Sequence, residues 1–259
     1  MTIEPALRVE TSAGGSRASI TLAAGRGNLI TADLMRMIDV ALDELAPARP
    51  LKLLSIDALA PDFSFGASIP EHAPGEIDRV LPQAHALIQK LLAFPAPTAA
   101  LVRGRCLGGG FEIALACDFI FAEQGAVFGL PEIALGVFPP AASALLPART
   151  GAVRAAAAIL TGAAAPAEEW RQAGLVSFVS GAGRLATDVD HWFDANLAGR
   201  SAEALRHATV AARLHVRHIV GTLLPQLERL YLDNLMQTED AREGIAAFLE
   251  KRLPRWTHR

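Results

Sequence analysis

The segment from Thr98 to Ala122 constrains the fold more than any other part of the chain. Thr98 to Val102 is a short apolar run that reads as a strand buried on both faces. Gly108, Gly109 and Gly110 follow and lead into a short helix, Phe111 to Cys117, after which Asp118 to Ala122 returns to strand. Strand, glycine-led helix and strand in close succession predict an α/β architecture with mainly parallel pairing. The same segment is the most apolar in the chain. Arg103, Arg105, Glu112 and Asp118 interrupt it, so it does not read as a membrane span, which needs about 20 apolar residues.

The flanking sequence extends the pattern. Ser16 to Leu22 reads as a strand, and Gly25 to Asn28 as a turn. Leu34, Ile38, Ala41, Leu42 and Leu45 recur at helical spacing behind Thr31, a candidate N-cap; Pro47 and Pro50 end that helix. Leu51 to Ala58 is a further buried strand. Residues 60–75 read as a long loop, and Ile77 to Leu92 as a helix that Pro82 is expected to restart or kink. Beyond Ala141 the chain turns mostly helical, with Leu175 to Ser180 as its last strand. Asp240 and Glu243 resemble a capping box ahead of a final helix carrying Ile245, Phe248 and Leu249. A boundary near Asn196 to Ser201 divides a core of residues 1–198 from a helical region of residues 199–259.

Composition excludes several classes of function. With 51% hydrophobic residues the chain buries a sizeable core, and its net charge of −3 gives no basic excess for nucleic acid or an anionic membrane surface. Cys106 and Cys117 make neither a disulfide framework nor a four-ligand zinc set; they read as reduced thiols of a cytoplasmic protein. The opening residues lack the basic and apolar regions of a signal peptide. No phosphate-binding P-loop and no nucleophile elbow occur. His215 and His218 lie one helical turn apart without carboxylate partners, so they read as solvated, and no metal site is expected.

Two glycine-centred turns and two glutamates carry the candidate chemistry. The triplet Gly108 to Gly110 either makes a tight strand-to-helix turn or presents a backbone N–H to a negative oxygen, with the helix N-terminus adding partial positive charge. Phe65-Gly66-Ala67-Ser68 is a second such turn, and an N–H from each would form an oxyanion hole. Glu112 and Glu132 each sit at a helix start within apolar sequence. Each either complements a helix dipole or, if buried, has its pKa raised into the range useful for proton transfer. Phe63, Phe65 and Phe138 are candidates for an apolar pocket or for ordinary core.

Arg103 to Asp118 together with Phe128 to Pro139 resemble the central motifs of the enoyl-CoA hydratase/isomerase, or crotonase, family. Phe63 to Ile69 resembles its first oxyanion loop, and Thr238 to Trp256 its C-terminal helix. The resemblance implies a spiral of β-β-α turns followed by a helical trimerisation region. It also implies an acyl-CoA thioester substrate with no separate cofactor, and a homotrimer or hexamer. It places the oxyanion hole on the N–H groups of Ala67 and Gly109, flanked by Gly66 and Gly108, and the catalytic carboxyls on Glu112 and Glu132. Phe65, Ser68 and Phe138 become substrate contacts, and Phe248 and Lys251 contacts to a neighbour's CoA nucleotide. The loop from Phe63 to His72 and the run Pro131 to Pro147 are most similar to hydratases of cyclic dienoyl-CoA thioesters in anaerobic benzoyl-CoA degradation. Ser68 stands where ordinary enoyl-CoA hydratases usually carry Asp, and Pro140 to Ser143 where they are glycine-rich. The family's common Lys near the first loop is missing, with Pro70 and Glu71 in that region. A hydratase of linear 2-enoyl-CoA and a non-catalytic acyl-CoA-binding protein are the alternatives.

Overall fold

The structure is a computed structural model that describes residues 6–59, 61–73 and 75–259. Its strands are β1 (Leu7–Thr11), β2 (Arg17–Leu22), β3 (Leu53–Ala58), β4 (Thr98–Val102), β5 (Arg105–Leu107), β6 (Phe119–Glu123), β7 (Val127–Gly129), β8 (Ala165–Pro166) and β9 (Phe178–Ser180). Its helices are α1 (Ala32–Leu45), α2 (Ile77–Ala93), α3 (Gly109–Ala116), α4 (Pro140–Thr150), α5 (Ala152–Thr161), α6 (Ala167–Gln172), α7 (Leu185–Phe193), α8 (Ala202–Arg229) and α9 (Glu239–Leu249).

A six-stranded sheet has the order β1-β2-β3-β4-β6-β9, and a three-stranded sheet the order β5-β7-β8. In the larger sheet only β1 and β2 pair antiparallel; every other neighbour is parallel, as apolar strands joined through helices require. The chain places one strand in the large sheet, the next in the small one, and then turns into a helix: β4, β5, α3, and then β6, β7, α4. That is the β-β-α spiral expected from the motifs.

Helix α1 begins where Thr31 was expected to cap it, its hydroxyl accepting from the Leu34 N–H at 3.1 Å. Three local expectations change. Strand β1 escaped the reading because Arg8 and Glu10 alternate with few apolar residues at an edge that is largely exposed. Strand β9 starts only at Phe178. Helix α2 runs through Pro82 without a restart, since the carbonyl that proline cannot use belongs to Asp78, an exposed first-turn residue open to water. The cap of α9 is Thr238, whose hydroxyl accepts from the Ala241 N–H at 3.1 Å. Asp240 and Glu243 form no capping box; the C-terminal tail takes both, through the Thr257 and His258 N–H groups and through Arg252.

The helical region is packed onto the core. Helix α8 lies against α4 and α2, and its Val220 and Leu224 join the main hydrophobic cluster. Arg213, only 2% exposed, ties α8 down. It bonds both carboxylate oxygens of Asp118, at 2.7 and 2.5 Å, and the carbonyls of Leu91, Leu92, Phe94 and Ala96 at the end of α2. The Leu92, Phe94 and Ala96 carbonyls, at and just beyond the helix end, thereby gain a donor, and Leu91 O a second one beside the Phe94 N–H.

Candidate active site

The two glycine-centred turns lie side by side. The Ser64 N–H donates to Arg105 O at 3.0 Å and the Leu107 N–H to Ser64 O at 2.9 Å, so the first turn runs along β5. Buried Asn28 fixes it from the other side, its amide donating to the Asp62 and Phe63 carbonyls, each at 3.2 Å. The Ile30 N–H donates to Gly66 O at 2.9 Å and the Ser68 N–H to Ile30 O at 3.1 Å. The intervening Ala67 N–H points the other way and donates to no protein group among the described residues.

Gly109 opens α3, so its N–H has no partner within the helix. A Cβ on Gly109 would lie 3.4 Å from the Ala67 nitrogen, which puts the two unspent N–H groups beside one another. Gly108 has φ of 48° and its N–H donates to Gly129 O at 2.9 Å. A side chain there would be strained, and its Cβ would come within 2.6 Å of Glu132 Oε1.

Glu112 projects from the first turn of α3, and its Oε1 accepts from the Ala142 N–H at 2.8 Å, at the start of α4. Burial raises its pKa to about 7 despite that bond. Glu132 stands on the 3-10 turn Pro131–Leu135 that follows β7. Burial, and next the charge of Glu112, raise its pKa to about 8. Its Oε2 is buried with no partner among the described residues. The carboxyls therefore share one electrostatic environment but differ in their partners: Glu112 accepts from the Ala142 N–H of another element, whereas the backbone donor to Glu132 is its own N–H and its Oε2 has none among the described residues.

Both face a cavity of about 110 Å³, somewhat smaller than the ~150 Å³ apolar cavity that admits benzene. The Gly66-Ala67 and Gly108-Gly109 turns line it on the same side as the carboxyls' backbone, and Phe65 and Phe138 also line it. Phe65 is held between Gly27 and the Arg105 guanidinium, which lies 4.0 Å from the ring centre. Phe63 belongs to the core, 0% exposed, and takes no part in the wall.

Three of the expected substrate contacts do not line this cavity, and two of them, Phe248 and Lys251, were expected to meet a neighbour's CoA. Ser68 does not line the cavity; its N–H and carbonyl are committed to Ile30 and His72. Phe248, 53% exposed, and Lys251 lie on the surface at the end of α9 and also do not line it.

Two cavity residues had gone unread. Tyr231, in a π-helical turn (Leu230–Asn234) continuing α8, packs edge-on against Phe138 with ring centres 5.4 Å apart. Burial first, and then the charges of Glu132 and Glu112, raise its pKa, so its hydroxyl stays protonated near the carboxyl pair. It is the chain's one tyrosine among 11 phenylalanines, which was a usable signal. His72 also lines the cavity.

The sequence profile of the enoyl-CoA hydratase/isomerase family matches residues 15–259. The chain is 39% identical over 257 residues to the cyclohexa-1,5-dienecarbonyl-CoA hydratase of Thauera aromatica, covering 98% of this chain and 97% of that one. It is 35% identical to the 2,3-dehydroadipyl-CoA hydratase of Escherichia coli K12, over 89% of this chain and 90% of the relative. The structure superposes on an enoyl-CoA hydratase from Mycobacterium avium subsp. paratuberculosis with a TM-score of 0.85 at 29% identity, covering 98% and 99% of the two chains.

Proposed function

We propose, from the premise that the chain belongs to the enoyl-CoA hydratase/isomerase family and is an acyl-CoA hydro-lyase with the crotonase fold, that its substrate is a cyclic dienoyl-CoA. The reaction is hydration of cyclohexa-1,5-diene-1-carbonyl-CoA to 6-hydroxycyclohex-1-ene-1-carbonyl-CoA, a step of anaerobic aromatic breakdown in the cytoplasm. The observation that carries this reading is the pair of unlike buried carboxyls beside two unspent N–H groups in a small apolar cavity. The extent of the likeness to the Thauera aromatica hydratase supports the ring substrate.

The thioester oxygen accepts from the Ala67 and Gly109 N–H groups. These donors strengthen as negative charge develops on that oxygen, and removing one such donor typically costs about 2.7–4 kcal/mol of barrier lowering. Glu112, held as the anion by Ala142, accepts a proton from water as the water oxygen bonds the β carbon. The electrons move through the α carbon to the oxygen and the far γ carbon. Protonated Glu132 delivers its proton to the γ carbon, and a double bond remains between the α carbon and the second β carbon. One water is added overall, and a proton passing from Glu112 to Glu132 restores the pair. The Ala142 N–H favours the Glu112 anion as the base, and the unpartnered buried Glu132 Oε2 favours its neutral form as the acid. No separate cofactor takes part.

Residues 199–259 are proposed as the oligomerisation region of a homotrimer or hexamer. Leu214 and Leu253, 62% and 87% exposed, and Phe248 leave apolar surface there that assembly would cover. Lys251 would then reach a neighbour's CoA phosphate. Mass spectrometry of the purified protein with the dienoyl-CoA and, separately, with crotonyl-CoA tests the reading. A gain of one water on the ring thioester supports it. Hydration of crotonyl-CoA alone would make the enzyme a linear enoyl-CoA hydratase, and hydration of neither would remove the catalytic assignment of the glutamates.

A further inference from the structure

His72 stands in the short helical turn Ile69–His72 that follows the first oxyanion loop, and its ring lines the cavity. Its Nδ1 lies 3.0 Å from the carbonyl oxygen of Ser68. A carbonyl only accepts, so Nδ1 carries the hydrogen and Nε2, across the ring, carries the lone pair. Burial lowers the imidazole pKa, which keeps the ring neutral at physiological pH. Nε2 has no protein partner among the described residues. Ile69, Ile77, Val80 and Leu81, all apolar, line the same cavity. The turn thus brings an imidazole of fixed tautomer to a cavity much of whose lining is apolar, directly after the loop that carries the Ala67 N–H.

An acceptor in such a wall is left unmatched by a plain hydrocarbon acyl group, and it repels a keto oxygen or a carboxylate. A hydroxyl matches it. We propose that His72 is a specificity-determining residue whose Nε2 accepts a hydrogen bond from a hydroxyl on the acyl group. The site thereby favours hydroxyacyl thioesters over their deoxy and carboxylated counterparts. This rests on the acyl-CoA reading of the cavity, though not on the ring. The hydroxyl has two sources: the one that hydration installs at the β carbon, or one already borne further along the acyl group.

The test is equilibrium binding, measured by calorimetry, of butyryl-CoA, 3-hydroxybutyryl-CoA and 4-hydroxybutyryl-CoA to the intact protein. The wild type is expected to bind one hydroxyacyl thioester about three- to tenfold more tightly than butyryl-CoA, the range of one neutral hydrogen bond. Preference for the 3-hydroxy compound identifies the product hydroxyl, and preference for the 4-hydroxy compound a substituent carried by the substrate. His72→Met should bring the ratio to about one. His72→Gln, which places an amide oxygen near the Nε2 position, should restore much of it. Equal wild-type affinities for all three, or a ratio that survives His72→Met, would overturn the inference while leaving the acyl-CoA reading intact. Failure of all three to bind would overturn both. Equal wild-type affinities overturn the inference whether or not the variants fold, and if His72→Met does not fold, His72→Leu carries the same reading.

Discussion

Glu132→Gln should make the protein more stable, and the gain should depend on pH in a defined direction. The folded protein holds the Glu132 proton up to about pH 8, whereas a free glutamate side chain releases it near 4.5. Between those values the unfolded chain has released a proton that the folded chain keeps. Stability therefore falls as pH rises through this window, by up to about 1.36 kcal/mol per pH unit. Below pH 4.5 both states are protonated and the penalty vanishes; above pH 8 both are ionised and it is complete. The whole span corresponds to at most about 5 kcal/mol, and water reaching the cavity and the coupling to Glu112 reduce the expected value to about 2–4 kcal/mol. The neutral amide of Gln escapes this penalty at every pH. Thermal melts of both proteins at pH 5, 6, 7 and 8, at equal protomer concentration, should show the variant's advantage growing with pH to about 5–10 °C. Whatever Gln costs in fit or in an unmatched amide is the same at every pH, so the slope is the reading. An advantage that is flat with pH, or that reverses toward pH 8, would refute the claim that the Glu132 carboxyl is held protonated by burial.

Other consequences are read by activity and by unfolding. Glu112→Gln and Glu132→Gln should each lower kcat by about two to four decades in hydration assays, and the double variant should lose far less than the product, because the pair acts as a unit. Gly108→Ala should drive a methyl toward Glu132 Oε1 at a backbone φ of 48°. Its kcat should fall at least about tenfold, with circular dichroism showing the helices retained. Arg213→Met leaves the Asp118 carboxylate without its cationic partner and the Phe94 and Ala96 carbonyls without the guanidinium donor, and denaturant unfolding should show a loss of about 3–5 kcal/mol.

The residues legible in the sequence were those whose neighbours in space are also neighbours in the chain. Glycines 108 to 110, Glu112 and the Phe65 to Ala67 turn each announced a local backbone geometry or a charge in apolar surroundings. The β-β-α order followed from apolar runs and breaks. Tyr231 and Arg213 were missed because their partners lie 93 and 95 positions away, at Phe138 and Asp118, and no periodicity reports such a contact. His72 was visible as a letter in the loop but not as an acceptor, since its tautomer depends on the bend that returns it to Ser68 O. The Asp240 and Glu243 reading failed for a related reason: the tail that claims these carboxylates returns from up to 18 positions ahead.

Placing two carboxyls in apolar surroundings is costly, and the fold concentrates that cost where it is most firmly framed. Glu112 rises from a helix whose Gly110 lies against Ser64 and whose Phe111 packs on Phe128 and Trp170, with ring centres 5.2 and 5.4 Å away. Glu132 stands on the turn that begins two residues after β7, a strand paired with β5 along its length. The backbone that carries each carboxyl is held by the sheets and by α3, which limits how far either can move to relieve its raised pKa. The same rigidity keeps the Ala67 and Gly109 N–H groups unspent, because the strands and helix that hold them offer no acceptor within reach. Preorganisation and local instability are thus one arrangement viewed from two sides, and a substitution that relaxes the instability should weaken the chemistry with it.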